Sequence, residues 1–366
     1  MNTSPDVSPA PWPAAQVLTT LAVYLRDRQA EAEHLHPRFA AAARVLEEFV
    51  LGGGKRIRPT FAWWGWRGAG GDMRGPDADA VLRAVSALEL LQACALVHDD
   101  LIDDSVVRRG SPTVHETFAA EHTARGWRGD AGRFGAAAAV LLGDVALAWA
   151  DDMFADAGLS SEALARAREP WRTMRTEMLA GQYLDAASQA AEDESAETAI
   201  RIDQLKTAAY TVAGPLHFGA AIAGTDPDLV AGYRAFGADI GVAFQLRDDL
   251  LGVFGDPAVT GKPAGDDLRE GKRTLLLALG LGKADHDHRA ADAATLRAAI
   301  GRADLGVPEL TEVRRLLVDL GALDAVEARI SELTASALAT LESCHVAEPA
   351  SAQLASLAIT ATQRSS

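Results

Sequence analysis

The sequence predicts an all-α chain folded as a single domain, and three observations carry that expectation. Ala and Leu dominate, and apolar residues recur at helical spacing, with few β-branched runs that alternate. Clusters of helix breakers cut this pattern into helix-length pieces. The chain has 366 residues, 48% of them hydrophobic, which is enough to bury a large core.

Taken in order, residues 1–13 are rich in Pro and Ser and are expected to be a disordered tail, leaving 14–366 as the helical domain. Helices are expected over 14–30, 37–51, 78–104, 134–157, 161–188 and 195–223. They continue over 227–255, 272–281, 290–301, 308–320 and 322–342. The breakers between them are Gly52-Gly53-Gly54, Gly68 to Pro76, Arg109-Gly110-Ser111-Pro112, Gly126 to Gly132 and Asp256 to Gly265. There is no short tandem repeat and no long linker. The arrangement expected is many antiparallel helices around a central core.

Charge narrows the function. The formal charge is −16, from 51 acidic and 35 basic residues. A nucleic-acid binder shows the opposite balance or a dense basic stripe, so nucleic acid is set aside. Any anionic substrate must be met by local lysines and arginines or through metal ions. The two cysteines, Cys94 and Cys344, have no zinc spacing and make no disulfide framework. The first residues lack a basic start followed by an apolar stretch, and no window reads as apolar for long enough to span a membrane. The cytoplasm is the expected location.

Two acidic helix ends stand out. From Leu90 to Asp104 the chain is apolar and then abruptly acidic. On a helix, Asp99 and Asp103 share one face, about 6 Å apart along the axis. They repel one another, and they sit at a C-terminus where the helix dipole disfavours negative charge. A cation between them removes that cost, and magnesium fits, because it takes oxygen ligands and bridges to phosphates. The competing reading is a solvated acidic face; the apolar turns before Asp99 argue for an inward face instead. An EF-hand is excluded by spacing. Phe244 to Asp256 repeats the theme with Asp248-Asp249, but the position one turn after Asp248 is Gly252. Asp248 is therefore the main ligand expected there, with Asp249 and Asp267 as helpers.

Basic residues accompany both ends. Lys55 and Arg58 follow the three glycines, in a stretch that is no P-loop. Arg108-Arg109 follows the first acidic cluster, and Lys206-Thr207, Lys262 and Lys272 accompany the second half. Each alone reads as a surface charge. Together, around two acidic helix ends, they read as diphosphate clamps.

In this setting the chain resembles the trans-prenyltransferases, the polyprenyl diphosphate synthases that include geranylgeranyl diphosphate synthases. Asp99-Asp100-Leu101-Ile102-Asp103 looks like their DDxxD, and Arg108 to His115 like RRGxPTxH. Gly53 to Pro59 is similar to GGKRxRP, and Gly181 to Asp185 to GQxLD. Phe244 to Asp249 looks like FQxxDD, and Gly261 to Lys272 like GKxxxxDLxxGK. The motifs run in order from about 50 to 275. Gly252 stands where the second DDxxD has its last aspartate.

The resemblance implies an isoprenoid-synthase-type helical bundle around a deep apolar cavity, usually a homodimer, with Mg2+ as cofactor. It implies an allylic diphosphate held through magnesium by Asp99, Asp103 and Asp248, with Arg108, Lys206, Lys262 and Lys272 on the diphosphate side. Isopentenyl diphosphate is expected on Lys55, Arg58, Gln92 and Arg109. Thr207 and Gln245 are expected to turn dipoles toward the carbocation. The implied reaction is head-to-tail condensation with release of diphosphate, and the expected main product is geranylgeranyl diphosphate. Alternatives are a farnesyl or longer-chain synthase, a class I terpene cyclase, or a non-catalytic subunit of a heteromeric synthase. The cyclase reading is disfavoured by FQxxDD in place of an NSE-type motif. In this family an aromatic just before the first motif blocks elongation; here Ala95 and Cys94 are small, with Leu91 and Leu88 as a floor further down. Residues 119–133 receive no role, as either a lid or a surface insertion.

Overall fold

A computed structural model describes residues 14–255 and 264–363. The expected disordered tail and Lys262 lie outside the described residues. Among those described, the fold is helical apart from one two-stranded hairpin.

The N-terminal elements are α1 (Ala14–Leu35), α2 (Pro37–Leu51), α3 (Ile57–Gly68) and α4 (Ala78–Ile102). Pro37 opens α2 at a position where its missing N–H costs nothing, and His36 caps it by accepting from the Arg38 N–H at 3.1 Å. Helix α3 was not expected. It is buried along most of its length, with Trp63, Trp64 and Trp66 all buried, so it shows no clear amphipathic period between its flanking glycines. The hairpin joins β1 (Val107–Arg108) to β2 (Ser111–Pro112) through Arg109 and Gly110, both at positive φ, as a tight hairpin turn demands. It folds Arg108 back over the end of α4 and turns Arg109 toward Gly53.

Next come α5 (Val114–Ala124), α6 (Ala131–Ala155) and α7 (Ser161–Ala190), the last two capped by Asp130 and Ser160. The expected helix over 195–223 is continuous but has three parts. α8 (Ala196–Ile202) widens into a π-helical segment (Asp203–Ala213) and tightens again into α9 (Gly214–Ala223). Helix α10 (Pro227–Phe254) starts on an Asp226 cap and ends at the second acidic cluster. After it come α11 (Asp266–Arg269) and five helices: Leu275–His286, Ala290–Ala299, Val307–Asp319, Ala322–Ser343 and Ala350–Thr362. The last was also unexpected.

Two large apolar clusters hold the helices, beside a small one of Ala32, Ala40 and Ala43 between α1 and α2. One gathers α1 to α7, α9, the first half of α10 and the chain from Ala337 to Ala358; the other gathers the second half of α10 with the helices from Leu275 to Leu333. Helix α10 thus joins both. Helices α3 and α9 pack backbone to backbone: a Cβ on Gly219 would fall 1.9 Å from the Ala62 carbonyl oxygen.

Two expectations need correction or completion. Helices α4 and α6 are each long and apolar enough to cross a membrane, contrary to the sequence reading. Most of the apolar stretch of α4 is buried in the protein, whereas only 33% of that of α6 is. Residues 119–133 are the end of α5 and a turn pinned in place. Trp127 packs edge-on against His122 and Phe134, with the Arg38 and Arg125 guanidinium groups at 5.7 and 5.4 Å from its ring.

Candidate active site

A cavity of about 940 Å³ opens between α3, α4, α7, the π-helical segment, α10 and α11. Helix α4 forms one wall. Its lining residues, Glu89, Gln92, Ala95, Leu96 and Asp99, recur at spacings of three and four, one stripe of a helix. Relative to Asp99, Ala95 is rotated by about 40° but Cys94 by about 140° and Leu91 by about 80°. Accordingly Ala95 lines the cavity, while Cys94 and Leu91 are fully buried in the core and do not. Leu88 keeps the same face and is also fully buried.

Asp99 is the hub of this wall. Its Oδ1 accepts from Gln182 Nε2 at 2.6 Å and lies 2.9 Å from Lys206 Nζ, and its Oδ2 lies 3.3 Å from Arg108 Nη2. Arg108 also donates from Nε to Asp100 Oδ1 at 2.5 Å. Lys206 reaches on to Asp185 at 2.6 Å. Burial pushes the Asp99 carboxyl up, but Lys206, Lys272, Gln182 and Arg108 outweigh it and hold the group well below the usual carboxylate range. Asp103, one turn on, is nearly inaccessible and meets Lys272 at 3.5 Å. Burial, then repulsion from Asp99, pushes its carboxyl up to about 6. The pair thus repels across one helix turn, and added positive charge between the two would relieve that repulsion.

Helix α10 forms the facing wall with Gln245, Asp248 and Asp249. Thr207 Oγ1 donates to Gln245 Oε1 at 2.6 Å, and Gln245 Nε2 donates to Asp249 Oδ1 at 2.7 Å. Burial, then Asp267, raises the Asp249 carboxyl to about 8. At Gly252 a Cβ would fall 1.9 Å from Asp267 Oδ2. Lys272 spans the gap between the walls, with its ammonium 2.6 Å from Glu270, 3.3 Å from Asp267 and 3.5 Å from Asp103. Ser105 adds a second tie across the mouth by donating to Glu270 at 2.9 Å.

The third wall is the π-helical segment, whose wide turns place Lys206, Thr207, Tyr210 and Thr211 along the cavity. Gly181 lets its backbone approach α7, because a Cβ there would fall 2.3 Å from the Lys206 nitrogen. That glycine explains its own motif: it docks the segment, and Gln182 and Asp185 on the same helix then reach Asp99 and Lys206.

A separate basic corner lies at the start of α3. Lys55, Arg58, Gln92 and Arg109 all line it. Arg58 sits 3.8 Å from the Tyr210 ring and donates to Thr211 Oγ1 at 2.8 Å. Tyr210 donates to Gln92 Oε1 at 2.7 Å, leaving the Gln92 amino group as a donor. Arg109 is held by the Gly53 carbonyl at 2.8 Å. Arg56, between Lys55 and Ile57, pairs instead with buried Glu89 and with the Val50 carbonyl, fastening the loop to α4.

The oxygen-only donors suit magnesium. No group of three His, Cys, Asp or Glu among the described residues is placed to hold a metal by itself. Magnesium does not need one, since it keeps water and takes one or two carboxylates plus phosphate oxygens. Asp99 with Asp103, and Asp248 opposite, supply that number. Sequence reasoning gave no role to Gln182, Asp185, Tyr210 or Glu270. The first two lay in a quoted motif at i,i+3 spacing, which was the available signal.

Residues 40–313 match the family model for polyprenyl synthetases. A geranylfarnesyl diphosphate synthase of Aeropyrum pernix is 32% identical, over 76% of this chain and 80% of that protein. A geranylgeranyl diphosphate synthase of Saccharolobus solfataricus is 31% identical, over 67% of this chain and 69% of that one. Among solved structures, the geranylgeranyl pyrophosphate synthase of Corynebacterium glutamicum, complexed with isoprenyl diphosphate and magnesium, superposes with a TM-score of 0.92. It is 47% identical and covers 96% of this chain and 98% of that one.

Proposed function

The chain belongs to the polyprenyl synthetase family and is a prenyltransferase, and we propose that it condenses isopentenyl diphosphate head-to-tail with an allylic diphosphate to make mainly geranylgeranyl diphosphate. One observation supports this reading: a single cavity is lined by two groups of basic residues, each suited to a diphosphate. Between α4 and α10 lie the aspartates with Lys206 and Lys272; at the start of α3 lie Lys55, Arg58, Gln92 and Arg109. A cyclase binds one diphosphate and has no use for the second site.

Asp99, Asp103 and Asp248 would hold magnesium, which when bound would supply positive charge to the diphosphate oxygens. Arg108, Lys206 and Lys272 take up the remaining charge of the departing diphosphate and so lower the barrier to ionisation of the allylic C–O bond. The Thr207–Gln245 pair, fixed at 2.6 Å, presents oxygen dipoles to the cation without a strong nucleophile. Arg58 and Arg109 keep isopentenyl diphosphate close enough for its double bond to attack. The proton lost afterwards passes to the released diphosphate.

Small Ala95 leaves room beneath the first motif, in keeping with relatives named for geranylgeranyl and geranylfarnesyl products. The same reading makes the enzyme a cytoplasmic homodimer. The outward face of α6, with Val140 45% and Leu141 64% exposed, is the surface a second copy covers.

The test is incubation of the purified chain with farnesyl diphosphate, labelled isopentenyl diphosphate and magnesium. The expected product is the twenty-carbon diphosphate, and none forms with chelator or without isopentenyl diphosphate. A cyclised hydrocarbon made without isopentenyl diphosphate overturns the condensation reading. A twenty-five-carbon main product overturns only the chain length.

A further inference from the structure

The chain beyond residue 313 lies past the match to the family model, and its described residues line no part of the cavity. It nonetheless grips the residue beside Asp248. Gln245, Asp248 and Gly252 form the cavity stripe of the last turns of α10. Arg247 lies off that stripe, turned by about 100° from Asp248, and its guanidinium makes three hydrogen bonds on the outer side. Nη1 and Nη2 donate to the two Glu327 carboxylate oxygens at 2.6 and 2.7 Å, a planar fork that fixes direction as well as distance. Nε donates to the Thr362 carbonyl at 2.9 Å. Thr362 ends the helix Ala350–Thr362, so no helical N–H takes up its carbonyl, and a cation suits that end of the helix dipole. One turn and a half further on, Arg314 Nε donates to the Val253 carbonyl at 2.7 Å, holding the end of α10 from a third helix, Val307–Asp319.

The site gives a reason for this hold. Asp248 and Asp249 put two carboxyls side by side on the last turns of α10, with the Asp267 carboxyl against Gly252. Like charges gathered on the inner side push the helix end outward. The Arg247–Glu327 pair is a weak source of stability, because the Glu327 side chain is 43% accessible and water can replace its partner. From this geometry we infer that Arg247 is a positioning residue, which clamps the outer face of α10 to the helices Ala322–Ser343 and Ala350–Thr362 and thereby sets where Asp248 stands in the cavity. The inference rests on the prenyltransferase reading above and deepens it, by giving the C-terminal helices a part in the reaction that they do not touch.

The test is calorimetric binding of inorganic pyrophosphate to the full chain as magnesium is varied, which needs no turnover. Arg247→Lys keeps the charge but loses the fork, and Arg247→Met loses both. The magnesium concentration for half-maximal binding is expected to rise about threefold in the first and roughly tenfold in the second, the low end of the cost of losing a group that orients a metal ligand. Glu327→Gln is expected to raise it about threefold and to add little in the Arg247→Met background, because the two changes remove the same interaction. Amide hydrogen exchange from 248 to 254 in the metal-free chain should quicken in the same order. Two quantities should hold nearly constant: the melting temperature, and the magnesium-free affinity for isopentenyl diphosphate, which belongs to Lys55, Arg58 and Arg109 away from α10. An unchanged magnesium requirement in Arg247→Met overturns the inference. So does a loss that falls equally on both ligands and follows the melting temperature, since that is an effect on the fold. If Arg247→Met does not fold, Arg247→Lys and Glu327→Gln decide by the same criteria. Either result leaves the prenyltransferase reading intact, whereas failure of the unaltered chain to bind pyrophosphate with magnesium overturns that reading and this inference with it.

Discussion

The ends of α4 and α10 face one another across the cavity and solve the same electrostatic problem differently. Helix α4 brings both of its carboxylates from one turn, and neighbours on α7, the hairpin and the π-helical segment close around Asp99. Helix α10 brings Asp248 and Asp249 but has Gly252 at the next turn, where the Asp267 carboxyl lies instead. A site made within one helix turn is rigid as soon as the helix forms. A site shared between α10 and α11 forms only when the intervening chain has returned. The contrast predicts that α4 dominates catalysis and that α10 is the adjustable side.

The largest expected effect follows on the α4 side. Asp99→Asn keeps the hydrogen-bonding shape but removes the charge that Lys206, Arg108 and the metal share. The condensation rate should fall by roughly two to three orders of magnitude, measured as kcat with saturating substrates. Asp248→Asn on the facing helix should cost less, roughly ten- to a hundredfold, with much of the loss appearing as a higher magnesium concentration needed for half-maximal rate. Equal losses at the two positions would break the asymmetry argued here.

Lys272 sharpens the comparison because it touches both sides. Its ammonium, burdened by burial but surrounded by Asp267, Glu270, Asp103 and Asp99, is held well above the ordinary lysine range. It balances carboxylates that would otherwise repel. Lys272→Met should therefore destabilise the metal-free protein by on the order of 2 kcal/mol, discounted from a fully buried pair because the side chain retains some exposure. Thermal melting with chelator and then with magnesium plus pyrophosphate checks this: the deficit should shrink when the metal returns positive charge. A deficit that does not change with magnesium would mean that Lys272 serves packing alone.

Much of this site was legible in the sequence because its parts are local. DDxxD, the two arginines after it and the residues around Lys206 each sit within a few positions, so helix periodicity aims them. The start of the basic corner was legible for the same reason. What was not legible depends on contacts between distant segments. The sequence offered Asp267 as a helper to Asp248, but only the fold lays its carboxyl against Gly252. Helix α3 escaped because it is buried along most of its length and so lacks the clear polar stripe that marks a helix. The membrane reading failed for a related reason: helix α4 is apolar enough to span a bilayer because it is sheathed by other helices. Residues 119–133 were left open as a lid or a surface insertion, because the contact of Trp127 with Arg38 joins segments far apart in the chain.

The smallest expected effect on rate, though not on outcome, concerns the pocket beneath α4. The sequence offered Ala95 and Cys94 as a pair of small residues below the first motif, but the helix turn puts Ala95 about 40° and Cys94 about 140° from Asp99. Ala95 lines the cavity and Cys94 is fully buried, its sulfur 3.7 Å from His98 Nδ1. Replacing each with Phe separates the two environments. Ala95→Phe should place a ring in the path of the growing chain, shifting the product toward fifteen carbons while the first condensation keeps its rate within a few-fold. Cys94→Phe should overpack the core instead, costing about 1–3 kcal/mol in thermal stability, with the product length unchanged in whatever folded enzyme remains. Product chromatography beside melting curves reads both. Shortened products from Cys94→Phe, or unshortened ones from Ala95→Phe, would mean that the chain grows along a different face of α4 from the one that carries Asp99.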